Sequence, residues 1–212
     1  MKDIAELVDG YRRFLANRYQ HEAELYRALA ETGQSPKTMV VACCDSRVDP
    51  TAIYSAGPGE LFVVRNVANL VPPFEPHGDY HGTSAALEFA VGGLGVENIV
   101  VMGHARCGGV RAHLDGVYGR SNKPNFIDRR MSLLNAARAQ ALRDGAGEPL
   151  DVQQRALEHA SVRHSIENLQ TFPFVKERLD EGRLRLRGAY FDISDGRLLA
   201  LDSETGRFEP LD

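Results

Sequence analysis

A chain of 212 residues is long enough for one large domain with a buried core, and its 43% hydrophobic and 25% charged residues are ordinary for a globular protein. The net charge of −4 and the lack of any Lys/Arg block argue against nucleic acid as a partner. The apolar runs are too short to span a bilayer, so we expect no transmembrane segment.

The first predicted element is a long helix over residues 3–31. Its apolar residues recur at three- and four-residue intervals: Ile4, Leu7, Val8, Tyr11, Phe14 and Leu15. Gly33 and Pro36 end this helix. A helix ahead of the first strand has no sequence neighbour to cover its apolar stripe, so we expect the stripe to pack on the core or on another subunit. We therefore expect residues 1–32 to form a helical arm that packs on a neighbouring subunit.

Strands and helices alternate along the rest of the chain. The predicted strands cover residues 38–42, 61–65, 98–102, 184–192 and 197–202. The first predicted helix after the arm begins at Thr83 or Ser84 and runs to Val91. Four further helices are predicted over residues 108–114, 128–142, 152–169 and 174–179. This order indicates a three-layer α/β fold with a central, mainly parallel sheet flanked by helices, an N-terminal helical arm and a C-terminal antiparallel hairpin. We expect a single domain over residues 1–212.

Candidate metal ligands follow two of the predicted strands. Cys43 comes just after the first strand, His104 comes after the third, and Cys107 lies three residues further on. The carboxyl ends of parallel strands share one edge of a sheet, so these side chains can meet there. Two thiolates and an imidazole suit zinc, and three protein ligands leave the open fourth position that distinguishes catalytic zinc from structural zinc. The pattern predicts one zinc ion per chain.

Two alternatives compete with this assignment. Cys44 could replace Cys43 as the ligand, but side chains alternate along a strand and only one of the two can face the metal. We favour Cys43 and expect Cys44 to be a buried free thiol. A structural zinc or anion-sensing module without turnover would need a fourth protein ligand, and the sequence offers Cys44 or Asp45 for it.

Asp45 and Arg47 lie two residues apart in an extended segment, where they can point the same way and form a bidentate pair. An ordinary surface ion pair fits the same spacing.

The cysteine count bears on the cellular compartment, because three cysteines do not build a disulfide framework. The acidic first residues lack the apolar core of a signal peptide, and we therefore expect a cytoplasmic protein.

Three segments resemble the signatures of the β-class carbonic anhydrases. They are Ala42-Cys43-Cys44-Asp45-Ser46-Arg47-Val48, Arg65-Asn66-Val67-Ala68-Asn69-Leu70-Val71-Pro72-Pro73 and Gly103-His104-Ala105-Arg106-Cys107-Gly108-Gly109. The match is specific from about Gln34 to Leu114, and the flanking elements fit more loosely. The resemblance implies a zinc enzyme in which zinc-bound hydroxide hydrates carbon dioxide reversibly to bicarbonate and a proton. It assigns Cys43, His104 and Cys107 as zinc ligands and Asp45 with Arg47 as the catalytic pair.

The resemblance also points to the plant-type subgroup of that family. The chain has no tryptophan, Val40 stands where the other subgroup has one, and Gln34 lies nine residues before Cys43. In the plant-type subgroup this glutamine bonds substrate across a subunit interface, which implies a homodimer or a higher homo-oligomer. The implied substrate-binding residues are Gln34, Phe62, Val67, Phe89 and Gly108. Phe89 replaces a more usual tyrosine, and without the resemblance Phe62, Val67 and Phe89 would be assigned to the core.

The residues leave two questions open. Carbonyl sulfide and carbon disulfide hydrolases resemble the same family and keep the same zinc site, so they are the alternative activity. A proton must also leave the site for solvent, and the candidate carriers by side-chain pKa are His77, His81 and His113.

Overall fold

A computed structural model describes residues 3–77, 81–117 and 125–211. Its strands are β1 (Thr38–Cys43), β2 (Leu61–Asn66), β3 (Asn98–His104), β4 (Arg185–Phe191), β5 (Leu198–Leu201) and β6 (Phe208–Pro210). They form one sheet in the order β2-β1-β3-β4-β5-β6. The pairs from β2 to β4 are parallel and the last two pairs are antiparallel, which confirms the predicted α/β class.

Helices lie between and around these strands. They are α1 (Ile4–Phe14), α2 (Gln20–Thr32), α3 (Pro50–Ile53), α4 (Gly82–Glu88), α5 (Gly108–Leu114), α6 (Phe126–Met131), α7 (Asn135–Asp144), α8 (Leu150–Leu169) and α9 (Pro173–Asp180). The long helix α8 packs on β3 and β4. Within the described ranges, no helix has the length and apolar character needed to cross a membrane.

The two central strands bring the predicted ligands to one edge. In β1 every residue after Thr38 is buried, as expected for a parallel strand covered on both faces. β1 pairs in register with β3 along its length, and Ala42 lies opposite Met102. Cys43, the last residue of β1, therefore lies near the end of β3, where His104 is the last residue. The predicted strands ended too early, by one residue in β1 and by two residues in β3, because Cys43 and His104 still belong to their strands.

The N-terminal arm is helical as predicted, with a short π-helical segment at Leu15–Tyr19 between α1 and α2. Asp3 and Glu6 form a capping box at its start. No residue of either helix is buried, and Ile4 is 79% exposed in this single chain. Residues 1–2 of the predicted arm lie outside the described residues. The packing of the arm on a neighbouring subunit stays a prediction.

Several predicted boundaries were wrong for identifiable reasons. The helix predicted over 128–142 begins earlier, because Asn125 accepts a hydrogen bond from the Asp128 backbone N–H at 2.7 Å. It is interrupted by a 3₁₀ segment at Ser132–Leu134, where the Ser132 hydroxyl donates to the Arg129 carbonyl. The helix that starts at Gly82 turns π-helical over Phe89–Leu94. The short edge strand β6 was not predicted, since its three residues carry no periodic pattern.

Candidate metal centre

Three ligand side chains meet at the carboxyl edge of the sheet. The sulfur atoms of Cys43 and Cys107 and a ring nitrogen of His104 all lie within 4.8 Å of one another, and all three residues are buried. The two sulfur atoms are 3.9 Å apart. Cys43 and His104 end neighbouring strands, and Cys107 is the N-cap residue of α5. The donor set, two thiols and an imidazole, is one that binds zinc.

The imidazole of His104 is oriented as a metal ligand requires. Its Nδ1 lies 2.9 Å from the Ala105 carbonyl oxygen, so this nitrogen carries the proton and donates it. Its Nε2 is buried and has no hydrogen-bond partner among the described residues. A buried, unpaired nitrogen beside two thiols fits a bound metal, and a backbone partner on the other ring nitrogen is the usual arrangement of histidine ligands.

The two thiols lie close enough to share a hydrogen bond, in which either sulfur can be the donor. This contact lowers the pKa of one thiol of the pair and raises the pKa of the other. One thiolate is therefore stabilised within the pair, and the thiolate is the form that a metal binds.

Cys44 is free but exposed, which corrects the expectation of a buried thiol. Because Cys43 points to the buried cluster, the next residue points away from it. Within the described part of the chain, the cluster contains neither Cys44 nor Asp45, so it has three donors rather than the four of a structural site.

Asp45 and Arg47 form a bidentate ion pair beside the cluster. Arg47 Nε donates to Asp45 Oδ1 at 2.9 Å, and Arg47 Nη2 donates to Oδ2 at 2.7 Å. The Arg47 backbone N–H also donates to Oδ1 at 3.0 Å. These bonds hold the pKa of the Asp45 carboxyl well below its usual range. Oδ2 lies 3.9 Å from His104 Nε2, so the ionised carboxylate faces the cluster.

Arg65, which sequence reasoning missed, holds the segment that carries Cys43 and Asp45. Its guanidinium donates to the carbonyl oxygens of Cys43 at 3.0 Å, Asp45 at 2.7 Å and Val48 at 3.0 Å. It also pairs with Asp49 at 3.2 Å. The only signal in the sequence was an arginine as the last residue of the predicted second strand.

The turns around the cluster are strained and are held by helix α8. Arg106 has a φ of 55°, and Ala68 and Asn69 have φ values of 61° and 50°, all in the left-handed region that non-glycine residues rarely adopt. Buried polar side chains of α8 bond to the backbone or side chains of these turns: Gln154, Glu158, Ser161, Ser165 and Asn168. Sequence reasoning did not identify this polar face.

The predicted substrate residues fall into two groups. Val67 lies against the start of α5, since a Cβ added at Gly109 would come 3.0 Å from its Cγ1, and the space beside Gly108 is open. Phe62 and Phe89 contact each other with ring centroids 5.9 Å apart.

The two rings lie away from the chain's own cluster. Phe62 pairs with Met39 of β1, and Met39 lies four residues before Cys43. Phe62 is therefore about 13 Å from Cys43 along the strand direction. Phe89 is 52% exposed rather than part of the core, and Gln34 is exposed in the connection before β1.

The three candidate proton carriers occupy different environments. His77 is exposed, His81 is the N-cap residue of α4, and His113 is buried within α5. Burial lowers the pKa of His113, which makes it less able to carry a proton near neutral pH.

Comparisons with known proteins agree with this geometry. The carbonic anhydrase family profile matches residues 38–198. The chain is 40% identical over 190 residues to β carbonic anhydrase 5, chloroplastic, of Arabidopsis thaliana, covering 88% of this chain and 62% of that protein. It is 38% identical over 212 residues to a carbonic anhydrase of Pseudomonas aeruginosa, covering 98% of this chain and 92% of that protein. The chain belongs to the β-class carbonic anhydrase family.

Solved structures share the fold over nearly the whole chain. The β-carbonic anhydrase CcaA aligns with a TM-score of 0.90 at 27% identity, over 99% of this chain and 92% of that one. One of two β-carbonic anhydrases of Sordaria macrospora, described as tetrameric, aligns with a TM-score of 0.78 at 26% identity, over 97% and 94%. The chain spans 62% and 65% of the lengths of two Arabidopsis relatives, less than two thirds of each.

Proposed function

We propose that this chain catalyses the reversible hydration of carbon dioxide to bicarbonate and a proton. The observation that carries the proposal is the buried Cys43, His104 and Cys107 cluster with the ionised Asp45 carboxylate facing it. Membership of the β-class family supports the same reaction. We further propose that the chain belongs to the plant-type subgroup, and the features that support this are the lack of tryptophan and the presence of Gln34.

We infer that Cys43, His104 and Cys107 hold one zinc ion per chain. When bound there, zinc supplies a Lewis acid that makes water acidic enough to act as a nucleophile near neutral pH. The unpaired Nε2 of His104 and the hydrogen-bonded thiols of Cys43 and Cys107 are the groups that would receive the metal. The three-donor set leaves room for water or substrate, as a catalytic site requires.

Asp45 and Arg47 would act as the catalytic pair. Arg47 makes two bonds to Oδ1 and one to Oδ2 of the carboxylate, which keeps it ionised and fixes its direction. The remaining acceptor capacity of Oδ2 then faces the cluster. There it would accept a hydrogen bond from the attacking water and orient that water toward carbon dioxide.

The substrate pocket would be shared between two subunits. Val67 and Gly108 lie at the chain's own cluster, whereas the Phe62–Phe89 pair lies about 13 Å along the sheet with Phe89 half exposed. We infer that these rings and Gln34 serve the site of a neighbouring copy. The exposed stripe of α1 supports an assembly in which residues 1–32 pack on that copy, and the Sordaria relatives are tetrameric.

We further propose that residues 1–212 form one domain working in the cytoplasm as a homodimer or larger homo-oligomer. The small odd number of cysteines, all of them free, is consistent with a reducing compartment.

A stopped-flow carbon dioxide hydration assay on protein of measured zinc content tests the activity. We expect turnover that scales with zinc content and that falls at least tenfold in Asp45→Asn, which keeps the size of the side chain but removes its charge. Carbonyl sulfide and carbon disulfide are assayed in parallel. Zinc-loaded protein that hydrolyses these two compounds but does not hydrate carbon dioxide would replace the proposal with its alternative.

A further inference from the structure

The peptide group between Arg106 and Cys107 is held from both sides by hydrogen bonds to the side chains of Arg47 and Glu158. Arg47 Nη2 donates to the Arg106 carbonyl oxygen at 3.0 Å. On the other side, the Cys107 backbone N–H donates to Glu158 Oε1 at 2.9 Å. This peptide follows the left-handed Arg106, whose φ of 55° is strained and persists only where the surroundings impose it.

Glu158 is placed where a carboxylate is costly. It is 2% exposed, and none of the ion pairs between described residues includes it. Neutral donors satisfy it instead: the Cys107 N–H, Gln154 Nε2 at 2.8 Å and the Tyr190 hydroxyl at 2.7 Å. Burial raises the pKa of Glu158, and leaving any of these three donors without an acceptor in the interior would cost free energy. The contacts of Glu158 therefore fix the groups that it binds.

The same helix also binds the other polar group of the Cys107 backbone. Gln154, one turn before Glu158, donates to the Cys107 carbonyl oxygen at 3.3 Å. The N–H and C=O of Cys107 are therefore both bound to α8, and they fix the backbone from which the sulfur projects.

We propose that Glu158 is a positioning residue of the metal centre, which fixes the direction of the Cys107 sulfur by holding the Arg106–Cys107 peptide opposite Arg47. This inference rests on the proposed zinc site. Arg47 then has two roles, because its guanidinium both orients Asp45 and bonds to the carbonyl oxygen of the turn before Cys107. Partners behind a metal ligand typically change metal affinity by about 10- to 100-fold when removed.

The test compares zinc affinity and cobalt spectra rather than turnover. Zinc dissociation constants are measured by chelator competition for wild type, Glu158→Ala, Glu158→Gln and Tyr190→Phe, and absorption spectra are recorded with cobalt at saturation. Tyr190→Phe is the matched control, because it removes one bond to Glu158 and leaves the bond to Cys107 in place.

We expect zinc to bind about 10- to 100-fold more weakly to Glu158→Ala. In Glu158→Gln the loss should be below about tenfold, because a neutral oxygen still accepts the Cys107 N–H, though less strongly than a carboxylate. Tyr190→Phe should stay within about threefold of wild type. The thiolate-to-cobalt band should change in both Glu158 variants and stay unchanged in Tyr190→Phe.

Two results would overturn the inference while leaving the proposed function intact. One is folded Glu158 variants that keep wild-type zinc affinity and the wild-type cobalt band. The other is a loss in Tyr190→Phe equal to that in Glu158→Ala, which would make Glu158 an anchor of the helix only. A wild-type chain that binds no zinc would overturn the proposed function and this inference together.

Should the Glu158 variants fail to fold, a crystal structure of the zinc-loaded wild type decides the matter. Glu158 within hydrogen-bond distance of the Cys107 N–H supports the inference. A separation beyond about 3.5 Å contradicts it.

Discussion

The carboxyl edge of the sheet and the N-terminal arm are both built from clear sequence patterns, yet only one of them is complete in a single chain. At the sheet edge, Cys43, His104 and Cys107 are 4%, 1% and 2% exposed and are surrounded by a hydrogen-bonded shell. In the arm, helices α1 and α2 have no buried residue at all. At the sheet edge, the side chains of a single chain bury and orient the three ligands. In the arm, the apolar stripe is left exposed in a single chain.

The difference separates what one chain can do alone from what needs a second copy. The metal ligands and the Asp45–Arg47 pair come from one chain, and we expect metal binding to survive dissociation of the assembly. The Phe62–Phe89 pair and Gln34 lie away from the cluster, and we expect the substrate pocket to depend on the assembly. Substitutions in the two regions should therefore have separable effects.

The largest effect is expected for Cys107→Ala. It removes one of three proposed ligands, so zinc and hydration activity should be lost together, with activity below about 1% of wild type. Zinc content by atomic absorption and stopped-flow hydration measure the two losses. Cys44→Ala is the matched control, because that thiol is exposed and outside the cluster, and it should keep zinc and most activity. Loss of zinc in Cys44→Ala with retention in Cys43→Ala would reverse the assignment.

The next effect is expected in the arm, from Leu7→Glu. A leucine buried in a subunit contact contributes about 1.5–3 kcal/mol, and a symmetric dimer has two of them, so the dissociation constant should rise at least about 100-fold. Sedimentation velocity over a concentration series measures this change. Arg13→Glu on the polar face should leave assembly unchanged. A wild-type chain that sediments as a fully active monomer would end the idea that the arm covers a neighbour.

A smaller effect is expected for Arg47→Ala. Arg47 fixes the direction of the Asp45 carboxylate, and a misplacement of about 1 Å can reduce a rate about 10²-fold, so turnover should fall about 10- to 100-fold. Zinc content at saturating metal should stay near one per chain. Arg12→Ala, which breaks the exposed Arg12–Asp9 pair of the arm, is the control and should not change turnover. Full activity in Arg47→Ala would remove the pair from the mechanism.

The smallest effect concerns His159, which packs against Tyr190 and Phe208 behind the sheet edge. Burial, together with the charges of Arg163 and Arg155, lowers the pKa of His159 to about 4. The unfolded chain, with a pKa near 6.5, then binds more protons than the folded one. As the pH falls from 6.5 to 5.5, the free energy of unfolding should drop by about 1 kcal/mol from this residue alone.

The comparison for this residue is His159→Phe, which keeps an aromatic ring and does not titrate. Denaturant unfolding of both zinc-loaded proteins at equal concentration measures the pH dependence. The difference between their unfolding free energies should change by about 1 kcal/mol over that pH interval. An unchanged difference would show that His159 titrates normally in the folded protein.

The sequence predicted the sheet edge well because its geometry follows from local pattern. Buried strands of known period end at one edge, so Cys43 and His104 had to meet once β1 and β3 were neighbours. It did not predict Glu158, whose contact with Cys107 spans 51 residues and depends on how α8 lies across the sheet. A glutamate within the buried stripe of α8 was the one available signal. The sequence also did not predict that Phe89 and Cys44 are exposed. The sequence pattern shows that a side chain is apolar but not which other residues cover it.

Zinc K-edge X-ray absorption on the zinc-loaded protein tests the central claim most directly. The proposed site predicts two sulfur ligands at about 2.3 Å, one histidine nitrogen at about 2.0–2.1 Å and one further oxygen or nitrogen atom in the first shell. The same shell should be found in Cys44→Ala. A shell with three sulfur atoms, or one that loses a sulfur in Cys44→Ala, would contradict the assignment of Cys43, His104 and Cys107 as the metal centre.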